Sequence, residues 1–304
     1  RLGQTLAEEV SGQLIVATHS SDIMRGFLSG TNGAVRILRI QRDDTVNVVT
    51  EAPLEAIKML WEQPVLRYSN ALEGIFHEQV VICEDDSDCR LFNAIADYME
   101  RENGGEWRDT AYVPAGGKHG IPRIADVLHK IGVPVIMVFD IDFLAEQDLV
   151  KKTVEAKKGD WTKIQPLWKR VDAAIRKGIT PPNNKKIKSD ITALLSSAKD
   201  DELPKSDVIE ILKGGKSWAI VKKNGVAAIP NGQAQVDYRS LDKELSGLGI
   251  FVISAGEVEN FCPEIGGHGP KFVNQLLRDV SFDDAKLSAL REFVEKIHGN
   301  VPKN

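Results

Sequence analysis

The stretch Val133-Pro134-Val135-Ile136-Met137-Val138-Phe139 carries no polar side chain and stops abruptly at Asp140-Ile141-Asp142. Such a run suits a strand covered on both faces, as in the centre of a parallel sheet. The sequence before it predicts the rest of that sheet. Gln79 to Cys83 reads as a strand and Ser87 to Arg101 as a helix. Thr110 to Pro114 reads as a second strand, followed by a Gly116-Gly117 turn and a helix over Ile121 to Ile131. Strands alternating with helices of this length imply an α/β fold.

After Asp142 the alternation stops. Helical spacing is present over 145–157, 161–177, 186–199 and 205–213, punctuated by Pro181-Pro182-Asn183-Asn184 and Gly214-Gly215. This reads as a helical insertion over 143–248. A strand over Ile250 to Ser254 resumes the pattern, and helices near 269–279 and 283–298 follow it. Ahead of the sheet, Gln13 to Thr18 reads as a buried strand leading into Thr18-His19-Ser20-Ser21-Asp22. Ala34 to Ile40 reads as a second strand, with Val46 to Val49 as its hairpin partner. Residues 52–76 read as helix and linker, broken at Pro64.

Composition narrows the class. At 42% hydrophobic and 27% charged the chain is an ordinary globular one, and no apolar run approaches the length of a bilayer span. Cys83, Cys89 and Cys262 lack both disulfide parity and metal-ligand spacing, which suits buried thiols in a reducing cytoplasm. The start at Arg1, with no signal peptide, reads as a piece of a longer polypeptide. The net charge of −5 hides an asymmetry. Residues 145–225 hold 18 Lys and Arg against 11 Asp and Glu, leaving 21 against 33 elsewhere. That pattern fits a phosphate-facing element beside a carboxylate-rich site, and equally a solvated helical surface.

Three acidic motifs follow predicted strands: Glu84-Asp85-Asp86-Ser87-Asp88, Asp140-Ile141-Asp142, and Gly256-Glu257-Val258-Glu259-Asn260. In open parallel sheets, sites form just beyond the carboxyl ends of strands, so the motifs converge if their strands are neighbours. Residues two apart on an extended strand share a face, which pairs Asp140 with Asp142. Taken singly, each motif also suits a helix cap or a solvated turn. Together, Glu84, Asp88, Asp140, Asp142, Glu257 and Glu259 form a hard oxygen set for Mg²⁺ or Mn²⁺, with room for two ions. Two such ions roughly 3.5–4 Å apart can clamp an in-line displacement at phosphorus. Lys118, after Pro114-Ala115-Gly116-Gly117, and Lys271, after Gly266-Gly267-His268-Gly269-Pro270, are candidates for stabilising transition-state charge or for solvated turns. His77, His119, His129, His268 and His298 show no metal-ligand spacing and read as structural.

A strand ending in Glu84, an acid at Asp88 in the next turn, and a later strand ending in Asp140-Ile141-Asp142 resemble the TOPRIM pattern. Asp85 stands where that family usually has glycine. Val16-Ala17-Thr18-His19-Ser20 resembles the switch-histidine strand end of ABC-type ATPases, where His19 would contact ATP. Together with Arg67-Tyr68-Ser69-Asn70-Ala71-Leu72-Glu73-Gly74-Ile75-Phe76, these features resemble the OLD (overcoming lysogenization defect) nucleases. The insertion and the 256–260 motif are similar to the class 2, Gabija-like branch.

The resemblance implies five segments. These are an ATPase tail at 1–50, a linker helix at 51–75, a TOPRIM core at 76–142, the helical insertion at 143–248, and the rest of the core with closing helices at 249–304. The implied fold is a Rossmann-like parallel sheet with an inserted helical domain. The implied function is two-metal hydrolysis of DNA, normally coupled to ATP hydrolysis, in phage defence in a prokaryotic cytoplasm. Implied partners are DNA, bound without sequence preference, a UvrD-like helicase, and further copies of the chain as a homodimer or higher oligomer. No G-x-x-x-x-G-K-[ST] occurs, so ATP belongs to a fuller ATPase domain. Two rival readings are a TOPRIM topoisomerase or primase, and a non-catalytic TOPRIM scaffold that regulates an ATPase or docks a helicase.

Overall fold

The computed structural model describes residues 1–62, 66, 70–103, 107–179, 182–198, 203–213 and 216–299. Pro64, Arg67-Tyr68-Ser69, Pro181 and Gly214-Gly215 lie outside them. The centre is a four-stranded parallel sheet in the order β4-β3-β5-β6, with β3 Gln79–Cys83, β4 Thr110–Pro114, β5 Val135–Phe139 and β6 Ile250–Val252. Every residue of β3 and β5 is buried, as the apolar runs Val80–Cys83 and Val135–Phe139 require of inner strands, while Gln79 at the start of β3 donates to Thr110 Oγ1 at 2.8 Å. β4 lies at one edge, where Pro114 costs no ladder bond.

Alternate strand residues feed two cores. Val80, Ile82, Val135, Met137, Phe139, Ile250 and Val252 belong to one cluster. It includes side chains of α5 (Ile121–Lys130), α6 (Gln147–Ala156), α7 (Trp161–Gly178) and α11 (Gln233–Gly247). Val81, Cys83, Ile136, Val138, Phe251 and Ile253 belong to the other, with α4 (Asp86–Asn103), α12 (Pro270–Asp279) and α13 (Ser288–Gly299). The result is a three-layer α/β/α arrangement. All three cysteines are free and buried. Among the described residues, no helix is long and apolar enough to cross a membrane.

The helices between β5 and β6 share a core with the sheet. Trp168 of α7 donates from Nε1 to the Leu144 carbonyl at 2.8 Å, and Val150, Val171 and Leu241 are fully enclosed in the same cluster. The exceptions are α8 (Asn184–Ser197), which buries no residue, and α9 (Lys205–Lys213) beside it. Two helices absent from the sequence reading also lie here: α10 (Ser217–Asn224) and α11.

The N-terminal part holds α1 (Leu2–Glu9), α2 (Ser21–Gly30), an antiparallel hairpin of β1 (Leu38–Asp43) and β2 (Val46–Glu51), and α3 (Leu54–Glu62). The expected strand at Gln13 to Thr18 is not formed. That segment pairs with no strand, and Leu14, Ile15 and Val16 are exposed at 41%, 83% and 42%. An apolar run becomes a buried strand only beside another strand, and among the described residues none adjoins it. The hairpin is anchored by Arg39, which is buried. Its guanidinium donates to the carbonyls of Ile75 (3.1 Å), His77 (2.7 Å) and Gly132 (2.8 Å), tying the hairpin to the loops that enter β3 and β5.

Candidate metal centre at the carboxyl edge of the sheet

Because β3, β5 and β6 are parallel neighbours, their carboxyl ends open onto one rim. Glu84 leaves β3 and its Oε1 accepts the Asp140 backbone N–H at 3.2 Å, which joins the ends of β3 and β5. Asp140 and Asp142 leave β5. Oxygens of Glu84, Asp140 and Asp142 lie within 4.8 Å of one another. A second set, Glu257, Glu259 and His268, has its ligand-type atoms equally close. The two strand ends are knitted by Ile253 N–H donating to Phe139 O and Ile141 N–H to Gly256 O, each at 2.9 Å.

Asp88 sits in the first turn of α4, where its Oδ2 accepts the Asp85 N–H at 3.2 Å. Asp85 in turn caps the helix, its Oδ1 accepting from Ser87 N–H (2.7 Å) and Asp88 N–H (3.1 Å). Asp85, standing where glycine was expected, therefore supports the turn that carries Asp88. The glycine loop after β4 closes against β3. Gly117 N–H donates to Glu84 O at 2.7 Å, and Gly116 and Gly117 take the positive φ values of 69° and 109°.

This loop aims Lys118 into the site. Its Nζ bonds Asp142 Oδ2 at 2.7 Å and pairs with Glu146 Oε1 at 2.9 Å. Lys271 does not come in with it: it is exposed in the first turn of α12. Glu259 Oε1 accepts the Gly269 N–H at 2.7 Å and faces His268 Nδ1 at 3.3 Å, so His268 is part of the rim rather than a structural histidine. His19 is exposed, and its ring lies 6.3 Å from that of Phe76.

The sequence reading missed Lys222. From α10 its Nζ reaches Asp140 Oδ2 at 2.7 Å, Asp142 Oδ1 at 3.2 Å and Glu257 Oε2 at 3.9 Å. Nothing marks it among the lysines of a basic segment. The only trace is Asn260 of the 256–260 motif, whose Nδ2 donates to the Lys222 carbonyl at 3.0 Å.

Crowding shows in the acidities. Burial, then the charges of Asp140 and Asp142, push Glu84 up to about 7. Burial, with Asp85 and Asp140, pushes Asp88 up to about 8. Burial raises Glu257 to about 7 and Asp140 to about 6, in each case against the pull of Lys222. Asp142 is held low: burial opposes its ionisation, but Lys222 and Lys118 outweigh burial. Its Oδ1 is buried, with the Lys222 ammonium 3.2 Å away. Carboxylate oxygens massed at one rim, their ionisation opposed by burial and mutual repulsion, suit a hard divalent cation that would relieve that repulsion.

One family model covers the first part of this arrangement. The family described as "Overcoming lysogenization defect protein-like, TOPRIM domain" matches residues 75–142. No curated protein and no solved structure matches the chain. TOPRIM domains bind divalent metals, and the matched span starts just ahead of β3 and stops at Asp142, so it contains Glu84, Asp88, Lys118 and both aspartates of the β5 end. Residues 75–142 are a TOPRIM domain of the OLD-like kind.

Proposed function

We propose that this chain hydrolyses DNA phosphodiester bonds with divalent cations, Mg²⁺ or Mn²⁺, held at the rim. The observation that carries the reading is the convergence of Glu84, Asp140 and Asp142 within 4.8 Å, beside a second set of Glu257, Glu259 and His268. Glu84 and the two aspartates would hold one ion, and Asp88 with Glu257 and Glu259 the other. Bound there, such ions supply an activated water and neutralise charge at the scissile phosphate. The residues around them have simpler tasks. Lys118 holds Asp142 in place, and the Gly116-Gly117 turn leaves room for a backbone to approach.

DNA would be held through its phosphates by the basic stretch between β5 and β6, where Lys185, Lys186 and Lys188 of α8 are exposed. Such binding weakens steeply with salt. Coupling to an ATPase, with residues 1–50 as its tail and His19 near its nucleotide, belongs to the same proposal. So do the class 2 assignment, a UvrD-like helicase partner and self-association.

The test is plasmid nicking with Mg²⁺ or Mn²⁺. Cleavage by wild type that is lost in Asp140→Ala supports the reading. No cleavage by wild type, or equal cleavage by the variant, favours a non-catalytic scaffold.

A further inference from the structure

Lys222 comes from outside the matched TOPRIM span, yet it contacts a carboxylate of each acidic set, with Asp140 and Asp142 on one side and Glu257 on the other. Its seat is built from several parts. Asn260 Nδ2 donates both to the Lys222 carbonyl (3.0 Å) and to that of Ala255 (2.9 Å). Val226 N–H donates to Ser254 O at 2.9 Å, just after α10 ends. The backbones approach so closely that a Cβ at Gly256 would lie 2.0 Å from the Lys222 carbonyl oxygen, and one at Gly225 would lie 2.5 Å from Ser254 O. At the other end of α10, Trp218 Nε1 donates to Asp172 Oδ1 of α7 at 2.8 Å. The ammonium is therefore delivered to one place by a helix pinned at both ends.

We propose that Lys222 is a built-in counter-cation of the rim, seated by Asn260 and Gly256, which competes with divalent ions for Asp140, Asp142 and Glu257. The inference rests on the metal reading above and adds a constraint to it. Two cations sharing the same carboxylates repel each other, and inside a partly buried site that repulsion is weakly screened. Metal loading must therefore displace the ammonium from its ion pairs, while without metal the ammonium relieves the mutual repulsion of the acids. A divalent ion then enters only above a threshold concentration that Lys222 sets.

The experiment is Mn²⁺ binding to the whole chain, without DNA, by calorimetry or by the loss of the free-ion paramagnetic resonance signal. Lys222→Met removes the charge and keeps the length. Its Mn²⁺ affinity should rise about tenfold, the scale of a displaced like charge. Lys222→Arg, which keeps the charge, should stay near wild type. Asn260→Ala, which loosens the seat and leaves the lysine in place, should shift affinity in the same direction as Lys222→Met but less. Thermal melts supply a second readout. Lys222→Met should melt lower than wild type in chelator and gain more from Mn²⁺. Unchanged or weaker Mn²⁺ binding by folded Lys222→Met overturns the competition. Should that variant not fold, unchanged affinity in Asn260→Ala overturns it instead. Absence of Mn²⁺ binding in every variant, wild type included, overturns the metal reading and this inference with it.

Discussion

Lys118 Nζ lies 2.7 Å from Asp142 Oδ2 and bonds the same residue's backbone carbonyl at 3.4 Å, so one lysine fixes both ends of this aspartate. Glu146, 2.9 Å away, holds the lysine from the other side. Lys118→Ala should therefore leave the sheet intact and blur the position of Asp142. Nicking activity is expected to fall roughly tenfold to a hundredfold, as for other residues that orient a metal ligand. An unchanged rate in a nicking time course would place Lys118 outside the machinery.

Arg39 offers a test of how the N-terminal hairpin is attached. Arg39→Ala leaves the carbonyls of Ile75, His77 and Gly132 without their donor. Losing three charge-assisted bonds at a buried position should cost about 3 kcal/mol or more. Urea unfolding of the two proteins measures it, with Arg36→Ala, an exposed pairing with Glu51, as a control that moves little.

The raised carboxylates predict a pH dependence whose sign can be worked out. Glu84 and Glu257 at about 7 and Asp88 at about 8 all lie above ordinary carboxyl values, so the folded chain binds more protons than the unfolded one. Their stabilising contribution is full at low pH and is lost as pH rises through 7 and 8. His298, lowered to about 4 by burial, acts in the opposite sense but only below about 6.5. Lys157, lowered to about 8 by burial, opposes them only from there upward. Between pH 6.5 and 8 the melting temperature in chelator should thus decline. Divalent ions need the ionised acids, so their affinity should climb across the same window with release of protons. Melts with and without Mn²⁺ at the two ends of the window check both signs.

Two glycines should respond differently to alanine. Gly256 has a φ of 109° and no space for a Cβ, which would strike the Lys222 carbonyl at 2.0 Å. Gly116 has a φ of 69° but open space around it. Gly256→Ala should cost several kcal/mol, and Gly116→Ala about 1 kcal/mol from backbone strain alone. Denaturant midpoints rank them, and equal costs would mean that α10 can slide off the 254–260 loop without penalty.

The parallel sheet was legible because inner strands need long apolar runs, and 80–83 and 133–139 supply them. Its acids were legible because strand ends in such sheets open onto one rim. The segment at 13–18 misled because an apolar run records a need for burial, while strand formation also needs a neighbour, and that is not written locally. Lys222 was invisible for a related reason. Its role comes from a docking of α10 against the loop after β6, and a lysine among lysines carries no local mark of it. His268 was passed over because its partners, Glu257 and Glu259, are metal-type ligands at a spacing that no linear motif encodes.

β5 and β6 are hydrogen-bonded neighbours, yet α6 to α11 intervene between them in the chain. Closing a loop of that length costs little free energy, because the entropic penalty grows only logarithmically, but it delays the encounter of the two strands. Glu84 and the aspartates can therefore assemble before Glu257, Glu259 and Lys222 arrive. Nascent or half-collapsed chains would carry an incomplete rim, so competence at this edge is reserved for polypeptides that have finished folding.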